Sequence, residues 1–166
     1  MAKVTTLKEL YVEQLQDLYS AEQQIIATLP KMMDAAQNAQ LKQGFQMHLE
    51  QTQGHAQRLE QVLQNLGEKP GGVTCQAMQG LVKEAQETMK ETEPGPVQDA
   101  ALIADAQRVE HYEMAGYGTV ITLAKQVGDT QAAGPLGQTL QEEKQTDEKL
   151  TQVAESMVNP QAAQQG

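Results

Sequence analysis

The stretch that decides the fold is residues 97–127, VQDAALIADAQRVEHYEMAGYGTVITLAKQV. Its aliphatic residues recur at the spacing of one helix face, which predicts a single long helix. Pro96 suits the first turn of that helix, and Gly128 suits its end. On that helix Glu110 and Glu113 share the aliphatic face, because residues three positions apart lie on the same side. The sequence therefore predicts two carboxylates directed into a helical core.

Outward from this stretch, a long helix is predicted at the N-terminus, from Leu7 to about residue 35. Residues 6–9, TLKE, have the pattern of a capping box, and apolar residues follow at helical spacing. Pro30 lies inside this pattern, so a kink or an earlier end near Leu29 is also open.

The remaining two long helices follow the same logic. Asn38 can cap a helix that Gly67 ends, and the short connection makes it antiparallel to the first helix. A last helix is expected after residue 128, with Asp129 or Thr130 as its cap and a candidate kink at residues 134–135, Gly-Pro.

A punctuated connector separates the two helix pairs. Loops are predicted at residues 68–72 and 93–96, and Thr74 can cap a shorter helix that ends near Lys90. Two helix pairs joined by a long connector are the arrangement of ferritin-like bundles with one long crossover. We therefore predict an all-α, ferritin-like four-helix bundle over residues 1–158 and a mobile polar tail over residues 159–166.

Composition limits the classes of partner. A formal net charge of −10 disfavours nucleic acid and anionic membrane surfaces, but it does not disfavour metal cations. No apolar run approaches the roughly 20 residues that span a bilayer, and the N-terminal residues lack a signal-peptide core. The single cysteine, Cys75, fits a reducing compartment and a small core position. We expect a cytoplasmic protein without nucleic acid or membrane partners.

Candidate metal ligands lie on the first two helices as well. Glu22 falls at the border of the first apolar stripe, where the alternative is a salt-bridged edge residue. His48 and His55 share the aliphatic face of the second helix, with Gln51 beside them. A single histidine on such a face is usually a hydrogen-bonded core residue, but two of them are harder to explain in that way, and of the two His55 is the candidate ligand or near-ligand.

The last helix adds two more carboxylates. Glu143 and Asp147 align with its aliphatic residues, whereas Glu142 and Glu148 are expected to be solvated. The alternative is an acidic helix face that lies entirely in solvent. Burying like charges without a cation costs several kcal/mol or forces protonation, so a metal would resolve the conflict.

The two helix pairs resemble each other weakly. Residues 19–22, YSAE, resemble residues 110–113, EHYE, and residues 50–55, EQTQGH, resemble residues 142–147, EEKQTD. This superposition makes three pairs: Glu22 with Glu113, Gln51 with Glu143, and His55 with Asp147. All of these side chains could converge on the middle of the bundle.

Carboxylates with imidazole, and without thiolate, suit iron or manganese, and bridging carboxylates suit two ions. Two-iron bundles commonly carry a Glu-x-x-His motif in each helix pair. This chain departs from that pattern, because Thr52 replaces the acid before His55 and Thr146 replaces the imidazole after Glu143. A weakened, asymmetric or single-metal site therefore stays open.

A family resemblance extends over nearly the whole chain. It is carried by residues 17–22, DLYSAE, 48–52, HLEQT, 99–104, DAALIA, 109–113, VEHYE, and 142–147, EEKQTD. These segments resemble the YciF-type bacterial stress-response proteins of the ferritin-like superfamily. The resemblance implies a ferritin-like bundle that forms a homodimer, a cytoplasmic location and a link to stress.

The resemblance also ranks the candidate ligands. The family often has an acidic residue at the position of Gln51, which puts this amide in doubt as a ligand. The spacing of Glu110 and Glu113 is similar to the third helix of rubrerythrins, where an extra carboxylate enters the iron shell. By this similarity four glutamates come first, followed by an aspartate and a histidine: Glu22, Glu110, Glu113, Glu143, then Asp147 and His55.

Two functions follow as hypotheses. The first is a two-iron site that reacts with oxygen or peroxide. The alternative is a non-enzymatic, dimeric stress or structural protein with a degenerate or structural ion, supported by a wide apolar stripe of Tyr11, Leu15, Tyr19 and Ile26 that suggests a subunit interface. A storage cage is a third reading that one chain does not decide.

Overall fold

The structure, a computed structural model, describes residues 3–165. Within that range the chain is helical and contains no strand. The helices are α1 (Leu7–Ala35), α2 (Ala39–Asn65), α3 (Gln76–Glu91), α4 (Pro96–Val127), α5 (Ala133–Val153) and α6 (Asn159–Ala162), with a π-helical turn at Ala154–Val158.

Four of these helices form the predicted bundle. Helix α1 packs along α2, and α4 packs along α5. The pairs meet where α1 contacts α4 and where α2 contacts α5. Helix α3 lies in the crossover and packs against α1 and α4. The predicted four-helix bundle with one long, helix-containing crossover is therefore confirmed.

The predicted caps of the first two helices are present. Thr6 and Glu9 exchange the two hydrogen bonds of a capping box at the start of α1. Helix α1 runs on through Pro30 to Ala35, so it does not end early near Leu29. Asn38 Oδ1 accepts hydrogen bonds from two backbone N–H groups in the first turn of α2.

The starts of α3 and α5 differ from the prediction. Cys75, not Thr74, is the cap of α3, because its buried Sγ accepts a hydrogen bond from the backbone N–H of Met78. Helix α5 begins at Ala133 rather than directly after Asp129 or Thr130. Pro135 therefore lies in the first turn, where its missing N–H removes no intrahelical bond, and the predicted kink there is not needed.

The C-terminal segment is helical where a polar tail was predicted. A π-helical turn continues α5 with its last residue, Val158, fully buried, and α6 then packs on α4. Residues 159–162 thus form a short helix. The predicted mobility of 159–166 and the division at residue 158 stay predictions, and residues 1, 2 and 166 lie outside the described residues.

The broad apolar stripe on α1 is mostly used inside the chain. Tyr11 and Leu15 are completely buried in the chain's own core, which removes them from the proposed subunit interface. Tyr19 is partly buried and donates a hydrogen bond to Glu60, and Ile26 is partly buried as well. The homodimer stays a prediction, to be tested by sedimentation. Within residues 3–165, no helix combines the length and the apolar character needed to cross a lipid bilayer.

A buried aspartate ties the two helix pairs together at one end. Asp99, in the first turn of α4, accepts hydrogen bonds from the backbone N–H groups of Gln37 and Asn38, at 2.7 and 2.8 Å. These groups belong to the turn between α1 and α2. Because the contact spans the two pairs, it fixes their relative position along the bundle axis.

We expect Asp99→Ala to lower the free energy of unfolding by about 2–3 kcal/mol, because two backbone N–H groups lose their acceptor. The exposed Asp34 on α1 provides the control, since Asp34→Ala should change stability by less than about 0.5 kcal/mol. Urea denaturation of both variants measures the difference. Equal effects of the two substitutions would contradict the role given to Asp99.

Candidate metal centre

Ionisable side chains from all four bundle helices meet at the middle of the core. Helical spacing directs them there, because Glu110 and Glu113 on α4 lie three residues apart and His48 and His55 on α2 lie seven apart. All are buried: Glu22 from α1, His48 and His55 from α2, Glu110 and Glu113 from α4, and Glu143 from α5. The centre therefore contains four carboxyl groups and two imidazoles.

Four of these side chains form a first ligand set. One ligand atom from each of Glu22, His55, Glu113 and Glu143 lies within 4.8 Å of the others. His55 Nδ1 is 2.9 Å from Glu143 Oε1 and 3.5 Å from Glu22 Oε1. Three carboxylates and one imidazole thus surround a common point.

A second ligand set lies beside the first. It consists of His48, Glu110 and Glu143, whose ligand atoms again lie within 4.8 Å of one another. His48 Nε2 is 3.0 Å from Glu110 Oε1. Because Glu143 belongs to both sets, its carboxylate has the position of a bridge between two ions.

The ligand atoms of these sets have no hydrogen-bond partner among the described residues. Both carboxylate oxygens of Glu110, Glu113 and Glu143 are buried and unpartnered. The short distance between His55 Nδ1 and Glu143 lacks hydrogen-bond alignment as well. Buried polar atoms are nearly always paired, since an unpaired one costs about 1–3 kcal/mol. Atoms that face a shared point instead of one another are suited to a cation.

Without a metal, protons and one ion pair balance these charges. Burial, together with neighbouring carboxylates, raises the pKa values of Glu110 and Glu113 well above the ordinary range. Burial opposes a charged His55, but its contacts with two carboxylates raise its pKa to about 10. Burial also opposes a charged Glu143, yet the contact with His55 lowers its pKa to about 2. The metal-free centre therefore holds protons where cations would bind.

A tyrosine and a glycine fix Glu22. The Tyr117 hydroxyl, fully buried, donates a short hydrogen bond to Glu22 Oε1, while Oε2 has no partner. The next residue toward the N-terminus, Gly116, lies close to α1, since a Cβ there would be 2.6 Å from Leu18 Cδ2. The close approach of α1 and α4 brings Glu22 within reach of Tyr117 and Glu113.

A charged network supports His55 from outside the set. Its Nε2 lies 2.9 Å from Glu142 Oε2, and Arg58 contacts both oxygens of Glu142, at 2.7 and 3.1 Å. Gln138 donates a further hydrogen bond to Glu142. Although burial opposes its charge, these hydrogen bonds lower the pKa of Glu142, beginning with Arg58. The carboxylate is thus an acceptor for the Nε2 proton of His55.

One predicted ligand, Asp147, lies outside both sets, and another, Gln51, lies beside the second set. Asp147 is directed to α4, where it accepts a hydrogen bond from Gln107 and lies 3.4 Å from the exposed His111. Asp147, one turn after Glu143, therefore lies at the contact between α5 and α4 and not at the centre. Gln51 lies near the second set, where its Oε1 accepts a 3.5 Å hydrogen bond from Thr146. His55 and Asp147, which the internal resemblance pairs with each other, therefore do not lie in a common site.

Sequence reasoning understated three other residues. His48 was ranked below His55, yet it belongs to the second set. Glu142 was expected to be solvated, but only a fifth of its side chain is exposed and it contacts His55. No role was predicted for Arg58. Its position three residues after His55, on the same side of α2, was the signal available in the sequence.

Two small cavities, of about 30 and 20 Å³, border His48 and Glu110. The larger is walled by α2 and α5 and reaches the exposed residues Met47 and Lys149, so it opens toward solvent. The smaller lies between α1, α3 and α4, and its walls are mostly aliphatic. Neither cavity is lined by His55 among the described residues. Both cavities thus lead to the second set.

The chain is similar to known bacterial proteins over nearly its full length. Residues 6–163 match the family described as a domain of unknown function, DUF892. Protein YciF of Escherichia coli strain K12 is 47% identical over 158 residues, which are 95% of this chain and 95% of YciF. The crystal structure of the E. coli stress protein YciF has a TM-score of 0.90 at 46% identity and covers 94% of this chain and 99% of that one.

Two further solved structures have the same fold. YcfI of Rhodopseudomonas palustris, for which a structural role has been suggested, is 47% identical with a TM-score of 0.87 and covers 90% of this chain and 95% of its own. A protein of Xanthomonas campestris is only 20% identical, has a TM-score of 0.77, covers 96% and 99% of the two chains, and shows the fold alone.

We expect the metal-free protein to lose stability as the pH rises from 7 to 9, on the order of 2 kcal/mol; burial lowers the pKa of His48, which opposes this trend only at lower pH. Raised carboxyl pKa values mean that the folded chain binds more protons above pH 4.5 than the unfolded chain does. His55 acts in the same direction, because its stabilisation is complete below pH 6.5 and is lost as the pH rises through about 10. Glu143 adds no slope here, because its contribution is complete above pH 4.5. Denaturation in chelator at several pH values measures the slope.

The double variant Glu110→Gln/Glu113→Gln is the internal test of this pH dependence. Its slope should be shallower, because the two carboxyl groups no longer release protons on unfolding. A metal-free protein that becomes more stable between pH 7 and pH 9 would contradict the electrostatic description of the centre.

Proposed function

The chain belongs to the DUF892 family, and on that premise we propose that its core holds two metal ions, of which iron is the best match. We propose further that the ions react with oxygen or peroxide as part of a bacterial stress response. The relative YciF is called a stress protein, which supports the second part. A cytoplasmic location and a homodimer belong to the same proposal.

One observation carries the metal proposal: the buried ligand atoms have no partner within the described chain. The free energy cost of desolvating four carboxylates without compensation would exceed the net folding stability of a bundle of this size. Four ionised carboxylates carry four negative charges, and two divalent cations balance them while both imidazoles stay neutral. The position of Glu143 in both ligand sets supports two ions over one.

The donor set supports iron over zinc. All ligand atoms are carboxylate oxygens and imidazole nitrogens, and manganese shares this preference. The only thiol, Cys75, lies elsewhere, within 2.9 Å of the Tyr112 hydroxyl. When bound, a pair of iron ions supplies the electrons that reduce an oxidant.

The residues of the chain have separate tasks in this proposal. Tyr117 holds one oxygen of Glu22 and leaves the other for a metal. The cavities beside His48 are the candidate route for a small oxidant, since both border the second ligand set. Burial strengthens every charge interaction at the centre, so the ligands hold cations more firmly there than at the surface.

We expect the metal-free protein, loaded anaerobically with ferrous iron, to bind two ions per chain. Glu113→Gln and Glu143→Gln should bind fewer, because each variant removes a carboxylate oxygen from a ligand set. Asp147→Asn is the matched control on α5 and should keep both ions, since Asp147 lies outside the sets. Metal analysis after gel filtration gives the stoichiometry, and thermal melts of the metal-free variants show that they fold. Less than one ion per chain in the wild type would contradict the proposal.

Addition of hydrogen peroxide to the iron-loaded protein should produce a near-ultraviolet absorbance increase that saturates with bound iron. Glu143→Gln should reduce the amplitude, and Asp147→Asn should not. Two bound ions without any change on adding peroxide or oxygen would reject the oxidant chemistry. That result would favour the alternative of a non-enzymatic structural protein, a role that has been suggested for the R. palustris relative.

A further inference from the structure

The two ligand sets differ in what holds their histidine. His55 contacts Glu142 through Nε2, so its Nδ1 is directed to the carboxylates of the first set. An ionised carboxylate only accepts hydrogen bonds, so Nε2 keeps its proton, and Nδ1, whose proton a cation would displace, is the nitrogen available to a metal. His48 has no such support, because its Nδ1 has no partner among the described residues.

Glu142 is itself fixed. Arg58 contacts both of its oxygens, Gln138 donates to Oε1, and Arg58 also donates to the hydroxyl of Thr139 at 3.0 Å. A two-pronged contact between a guanidinium and a carboxylate sets orientation as well as distance. The imidazole of His55 is thus held by a chain of contacts that reaches from the centre to the partly exposed side of α2.

Solvent access differs in the same direction. Both small cavities border His48 and Glu110, and neither is lined by His55, Glu22 or Glu113. The second set therefore borders two cavities, and the larger of these reaches exposed residues of α2 and α5. Orientation and access both make the second position the more labile one.

We propose that the two metal positions are unequal, and that Glu142, held by Arg58, is a positioning residue that presents Nδ1 of His55 to the first ion. The first set fills first and binds tightly, whereas the set of His48 and Glu110 fills second and exchanges readily. This inference rests on the proposed function, because it requires two bound ions. Outer partners of ligating histidines typically change metal affinity by 10–100-fold.

The experiment titrates the metal-free, full-length protein with Mn²⁺ under calorimetry, with free Mn²⁺ counted by electron paramagnetic resonance. We expect two steps, with the first at least tenfold tighter than the second. Glu142→Gln should weaken the first step by about 10–100-fold and leave the second unchanged. Glu148→Gln is the matched control, since Glu148 is exposed on the same helix and should leave both steps unchanged.

Two more variants separate the positions. His48→Ala should remove the second step and keep the first, and His55→Ala should remove the first. A thermal melt of each metal-free variant reports folding separately, so that a general loss of stability is not mistaken for a positioning effect. If Glu142→Gln weakened both steps equally, the positioning role would be wrong.

A spectroscopic readout tests the orientation of His55 directly. In the zinc-loaded protein with ¹⁵N-labelled histidine, the His55 ring should carry its proton on Nε2, slowly exchanging in the wild type and rapidly exchanging in Glu142→Gln. A proton on Nδ1, or two equal binding steps in the wild type, would overturn this inference and leave the proposed function standing. Binding of no Mn²⁺ and no ferrous iron would overturn the proposed function itself.

Discussion

Four carboxyl groups buried side by side constrain everything that packs around them. Their mutual repulsion and their desolvation both favour protonated or metal-bound forms over free carboxylates. The ion pair of His55 with Glu143 relieves part of this cost, and raised carboxyl pKa values relieve more of it. The bundle must therefore be stable enough elsewhere to hold a centre that opposes folding when it is empty of cations.

That stability comes from two separate apolar layers. One lies at the α3 end and includes Phe45, Met78 and Leu102, and the other surrounds Leu15, Leu63 and Leu136. On α2, α4 and α5 the polar residues of the centre fall between the two layers, and on α1 Glu22 lies at the border of the first layer, next to Ala21. Each layer closes one side of the centre, so the helices cannot separate to hydrate the carboxylates without exposing aliphatic surface.

The two helix pairs contribute different side chains to the centre. Each supplies one glutamate at a matching position, Glu22 on α1 and Glu113 on α4, but the other ligands do not correspond. Helix α2 supplies two histidines, whereas α5 supplies one glutamate, Glu143, that belongs to both sets, and Glu142, which contacts His55. An asymmetric centre results from a nearly symmetric bundle. The chain has no inward-facing Glu-x-x-His motif. Instead, His48 on α2 and Glu110 on α4 come together across two helices in the second ligand set.

The helices, their order and the side of each helix that faces the core could be predicted from the sequence, because caps and apolar spacing are local properties of the chain. Thr6, Asn38 and Gly128 mark helix ends without reference to any neighbour, and Glu110, Glu113, Glu143 and His55 follow from the core face of each helix. Margin residues are different. A turn of 100° per residue leaves Glu142 and Asp147 on either edge of one face, and only the neighbouring helices decide which edge turns inward.

Tertiary packing placed Arg58 against Glu142 and Gln107 against Asp147, and it placed Cys75 as a cap beside Tyr112. The sequence by itself determined which faces are polar at the centre, whereas only the tertiary structure decided which atoms meet there, because contacts across helices depend on offsets that no single helix encodes.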